Sequence, residues 1–202
     1  MAARSAAIGF SPHSGWAAMI VLSGTAAEIT VLARSRVDLI DSHDPESKQP
    51  YHAVEFVCVE EATGRLAGYM AEATARAYSA ILSQSTGLRE SGYQVKSVGI
   101  LDSAGRKQSS LSSILAAHAL IHAAEGDHFR NALSAAAERA GLRVCRVQAR
   151  ALEDHAVKCL SLPLNRVLDT VNDLGRQVGP PWGADQKKAA LLAWTLLNDS
   201  PA

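Results

Sequence analysis

Cysteine is scarce in this 202-residue chain, which has only Cys58, Cys145 and Cys159. The count is odd and no CxxC spacing occurs, so neither a disulfide framework nor a Cys-rich zinc site is expected. Each cysteine reads instead as a small buried apolar residue. Charge of one sign is also missing: 20 Lys and Arg balance 20 Asp and Glu. The net basic surface that usually underlies phosphate-backbone binding is therefore absent, although a local basic face is not excluded. No apolar stretch approaches the ~20 residues of a membrane span. No apolar run of useful length precedes Ser11 to act as a leader, so the cytoplasm is the expected compartment. Internal repeats, low-complexity tracts, a Gly-x-x-x-x-Gly-Lys phosphate loop and a Gly-x-Ser-x-Gly elbow are all lacking.

What is present suits one α/β domain over residues 1–202, long enough to bury a core without disulfides or metal. Hydrophobic residues make up 48% of the chain, and abundant alanine favours helices. Residues 5–10 read as a short buried strand. The segment 11–15 is a turn, with Pro12 fixing φ and Gly15 permitting a positive one. Trp16 to Leu22 and Glu28 to Ile40 are two further strands, which together predict an antiparallel meander. A polar loop spans 41–50. A helix then begins between 53 and 62 and ends near Ser85, with Gly87 as its stop. Its spaced apolar residues are Leu66, Tyr69, Met70, Thr74, Tyr78, Ile81 and Leu82. Val95 to Leu101 is a fourth strand, a helix runs from about Leu111 to Ala140, and Arg143 to Gln148 is a fifth strand. Helices around 163–176 and 185–197 flank a break at Gly179-Pro180-Pro181. The order β-β-β-α-β-α-β-α predicts a mixed five-stranded sheet covered on both faces, with the later strands parallel.

Several constellations carry chemistry. His118, His122 and Glu125 share one helix face, a pattern that suits either a transition-metal site or a polar surface stripe. Asp127 and Arg130 lie just beyond. The loop holding Arg106 and Lys107 precedes a helix, which makes it a phosphate-site candidate or a solvated loop with a Ser cap. Ser11, His13 and Ser14 form a pocket candidate or simply a hydrogen-bonded turn. Trp182 either stacks on a base or closes the core, and Lys187 with Lys188 is mostly solvated charge.

The segment Ile8-Gly9-Phe10-Ser11-Pro12-His13-Ser14-Gly15-Trp16 and the run from Asp185 to Trp194 resemble the ribonuclease H-like superfamily, in particular its Holliday-junction resolvase branch. The resemblance implies a ribonuclease H-like fold. It also implies carboxylates on the first strand, near the fourth strand and on the last helix, which hold two divalent ions for phosphoryl transfer. Asp102 and Asp185 map onto two of those places as Mg²⁺ or Mn²⁺ ligands, with Glu125 in support. The first-strand place holds Ser11, a far poorer ligand. Two functions stay open. One is a non-catalytic or repurposed member that binds a small anionic ligand or a partner at the strand ends, through Ser11, His13, Arg106, Lys107, Arg130 and Lys187. The other is a metal-dependent nuclease-like enzyme acting on nucleic acid or nucleotide. Homo-oligomers through the Ala-rich helices are compatible with either.

Overall fold

The computed structural model describes residues 3–25, 28–103 and 109–198. Three strands come first: β1 (Arg4–His13), β2 (Trp16–Gly24) and β3 (Ile29–Asp38). A short 3-10 turn (His52–Val54) leads to α1 (Val59–Glu90) and β4 (Tyr93–Asp102). After α2 (Leu111–Leu115) and α3 (His118–Arg139) comes β5 (Arg143–Gln148). The chain closes with α4 (Leu152–Leu160), α5 (Leu164–Val178) and α6 (Ala184–Asn198). The strands lie in the order β3-β2-β1-β4-β5. The first three pair antiparallel, while β4 runs parallel to β1 and β5 parallel to β4. This is the mixed five-stranded α/β sheet that the pattern predicts.

Both faces of the sheet are covered, which explains why β1 and β2 read as continuous apolar runs rather than alternating ones. On one face Ile8, Phe10, Val98 and Ile100 pack with α1 and α3, through Ala77, Ile81, Phe129 and Leu133. On the other, Ile20, Leu22, Leu101 and Val147 pack with α4, α5 and α6. Paired Gly9 and Gly99 lie under α6. A Cβ on Gly9 would stand 1.9 Å from the Ala189 carbonyl oxygen, and one on Gly99 would stand 2.5 Å from Leu192 Cγ. The two glycines therefore let α6 lie against the sheet, and that sets its first turn over the end of β1.

Local departures from the expected boundaries have physical causes. α1 runs through Gly87 and stops at Ser91, before Gly92 at φ +80°. Its buried stripe is Ala62, Leu66, Ala73, Ala77, Ile81 and Leu88, whereas Leu82 is 44% exposed. Leu66 and Ile81 stand in that stripe as the spacing predicts, Met70 and Tyr78 pack at its margin, and the small alanines between them let α1 approach its neighbours. The helix expected from Leu111 to Ala140 breaks at Ala117, whose extended φ −142° and ψ 109° start α3 afresh. The helix α4 was not expected. Cys58 is exposed rather than buried, and Cys145 and Cys159 are half-buried. No helix among the described residues is long and apolar enough to cross a membrane.

Candidate functional site

The carboxyl ends of β1 and β4 carry the first group of candidate residues. Ser11 follows Gly9 on the α6 face and is 5% exposed. Its Oγ donates to Asp185 Oδ1 at 3.0 Å. The same oxygen lies 2.9 Å from His13 Nε2. His13 in turn stacks flat on Trp16, with centroids 4.3 Å apart, across the two-residue turn whose Gly15 takes φ +81°. The Arg36 guanidinium lies 4.2 Å from the Trp16 ring centroid and pairs with Asp38. Beside them opens a cleft of about 780 Å³, lined by Trp16, Arg36, Asp41, His43, Lys48 and Arg76.

Asp102 belongs to the opposite face. Ile100 points to α1 and α3 and Leu101 to α6, so alternation returns Asp102 to the α3 side. Its partners agree with this. Arg146 grips it with Nε to Oδ2 at 3.1 Å and Nη2 to Oδ1 at 3.0 Å, while also donating to Asn131 of α3. Arg130, also from α3, approaches to 3.9 Å, bonds the Leu101 carbonyl and pairs with Asp127. Burial pushes the Arg130 pKa down, and Asp127 and Asp102 oppose that shift. The β4 side chain on Ser11's face is therefore Leu101, not a carboxylate. A two-ion phosphoryl-transfer centre needs oxygen ligands converging on ions only ~4 Å apart. Asp102 and Asp185 face opposite sides of the sheet, each already held by donors of its own. As placed, they do not fit such a pair of ions.

The remaining candidates scatter. Arg106 and Lys107 lie outside the described residues. Ser110, at the end of their loop, caps α2 by accepting from Ser113 N at 3.2 Å. Lys187 is exposed and lines a separate, mostly apolar groove with Leu152, Leu168 and Leu191. Trp182 packs on Gly175 and donates to the Val171 carbonyl at 3.0 Å, which closes the core below α6.

Glu125 is not at the strand ends with Asp185. It is buried on α3, its side chain 4% exposed, and accepts from His52 through both the backbone N–H at 3.3 Å and Nδ1 at 2.8 Å. His122 Nδ1 stands 3.8 Å from its second oxygen. His52, His118 and His122 each offer one nitrogen within 4.8 Å of the other two, the only such group of three or more metal-ligating residues among the described residues. Nearby, burial lowers the His128 pKa, and burial, with Asp127 and Glu125 adding to it, raises that of Tyr51. Sequence reasoning found the α3 pair but missed His52 and Arg146. His52 comes from a distant loop, and no local spacing announces it.

No family model matches the chain, and no curated protein matches it by sequence. Solved structures do. One is Thermus thermophilus RuvC in complex with a Holliday junction substrate, at 13% identity and a TM-score of 0.54, covering 95% of this chain and 92% of that one. Another structure of Thermus thermophilus RuvC matches at 14% identity and a TM-score of 0.51, covering 94% and 92%. Likeness at this identity shows the fold, which is the ribonuclease H-like α/β fold.

Proposed function

We propose that this chain is a non-catalytic member of the ribonuclease H-like fold that binds a phosphate-bearing ligand, nucleic acid by preference, at the carboxyl edge of its sheet. One observation carries the reading: Asp102 and Asp185 sit on opposite faces, with Arg146 holding the first and Ser11 with His13 holding the second. Ser11 in the place of a first-strand carboxylate supports it. The cleft beside Trp16 supplies the cations Arg36, Lys48 and Arg76 for a phosphate, with the Trp16 ring held between His13 and Arg36 and so fixing the guanidinium at its edge. The Arg36 and Arg76 pairs with Asp38 and Asp41 are exposed and weak, so they can give way to a phosphate. The RuvC neighbours bring nucleic acid forward as the ligand class.

The test is binding and cleavage of labelled single-stranded and four-way-junction DNA in Mg²⁺ or Mn²⁺. Binding without cleavage is expected, weakened by Arg36→Ala and by Trp16→Ala. A metal-dependent nuclease is the second reading, favoured by the position of Asp185 beside the β1 end. Cleavage that disappears in Asp185→Asn would replace the first reading with it.

A further inference from the structure

We propose that His52, His118 and His122 bind a divalent transition-metal ion of the zinc class, with Glu125 as the positioning residue behind them. The proposal does not depend on the reading of the strand ends. Two separate parts of the chain build the site. His52 comes from the 3-10 turn after the 41–50 loop, and His118 with His122 spans one turn at the start of α3. The ring centroids lie 5.2, 4.9 and 4.4 Å apart, so the three imidazoles surround one point rather than line a surface.

Nitrogen roles follow from Glu125. His52 Nδ1 is engaged by Glu125 Oε1, which leaves His52 Nε2 for an ion. His122 Nδ1 faces Glu125 Oε2, and its Nε2 stands 3.0 Å from His118 Nε2. Two nitrogens bound to one tetrahedral zinc at about 2.0–2.1 Å stand about 3.3 Å apart, so only a small ring rotation is needed. A carboxylate that accepts from the far nitrogen of a ligating histidine fixes its tautomer and ring orientation. Here one carboxylate faces the far nitrogens of two.

Glu125 itself is the second, independent observation. It is almost fully buried, and among the described residues its partners are imidazoles and a backbone N–H, with no Arg or Lys. A buried carboxylate without a countercharge is costly, and an ion held by the imidazoles it orients would supply one. The all-nitrogen donor set suits zinc, copper or nickel rather than Mg²⁺ or Mn²⁺, which prefer oxygen. His118 and His122 are exposed, so a fourth position opens to solvent and would take water or a small anion.

The experiment is calorimetric titration of the chelator-stripped full chain with Zn²⁺, with bound metal counted after gel filtration and folding checked by circular dichroism. One ion per chain is expected. His118→Ala, at an exposed position, should weaken binding by about 100-fold or more, and Glu125→Gln by about 10–100-fold. His155→Ala, whose ring neighbours Cys159 on α4, should leave binding unchanged. Substoichiometric uptake by the wild type would overturn the proposal. So would wild-type affinity in a folded His118→Ala protein, or an equal loss in His155→Ala.

Discussion

Among the described residues, two places gather groups able to hold a metal, and they differ in what those groups already touch. At the strand ends, Asp185 is occupied by Ser11 and His13, while Asp102 is occupied by Arg146 on the other side of the sheet. At the start of α3, the carboxylate is turned inward and the imidazole nitrogens it leaves free converge. The first place is where the sequence resemblance implies ions, but its carboxylates have internal partners instead. The second is implied by no resemblance, but it has a converging donor set with an orienting carboxylate behind it. Position in a fold and chemical readiness are separate properties, and here they have come apart.

The contrast can be broken hardest at Gly9. Gly9→Ala forces α6 away from β1, because the added carbon meets the Ala189 carbonyl. A loss of about 3 kcal/mol or more in urea unfolding is expected. Ser11→Asp comes next. It sets a second carboxylate, at a buried position, against the half-exposed Asp185 and should cost about 2 kcal/mol. Added Mn²⁺ should restore part of that loss in this variant, with no effect on the wild type. Arg146→Ala releases Asp102 from its fork and should cost about 1–2 kcal/mol, measured in the same way.

The smallest effect concerns pH. The buried His128 has its pKa held below the ordinary value near 6.5. Below that pH the unfolded chain takes up a proton that the folded chain refuses. Stability should therefore fall as pH drops from about 6.5 toward the folded-state pKa, and it should be insensitive to this group above that range. His128→Phe should flatten the acid limb of a plot of unfolding free energy against pH. An unchanged slope would show that His128 does not set it.

Much of the fold was legible because long apolar runs and turn residues are local signals. The meander, β5 and the last helix follow from them directly. The seam of α1 was legible only in part: Leu66 and Ile81 follow from their spacing, whereas its alanines carry little hydrophobic weight and matter through the close approach they permit. The break at Ala117 lies within an Ala-rich stretch that gives no local warning. At the strand ends, the neighbourhood of Ser11, His13 and Asp185 could be inferred from the resemblance of two segments. The opposite facing of Asp102 could not, because a one-residue shift along a strand reverses a side chain's face. The α3 histidines were visible by their spacing, but His52 reaches them only through tertiary folding, and so does the hydrogen bond that turns Glu125 into their support.

The most direct test of the account is thermal unfolding of the wild type, Asp185→Asn and His118→Ala, each titrated with Zn²⁺ and with Mn²⁺. A ligand that binds only the folded state stabilises it by about 2.7 kcal/mol at a hundredfold excess over Kd. The account predicts a saturable Zn²⁺ shift in the wild type and in Asp185→Asn, its loss in His118→Ala, and no Mn²⁺ shift in any of the three. A Mn²⁺ shift in the wild type that vanishes in Asp185→Asn, with Zn²⁺ indifferent to His118, would contradict it and return the metal to the strand ends.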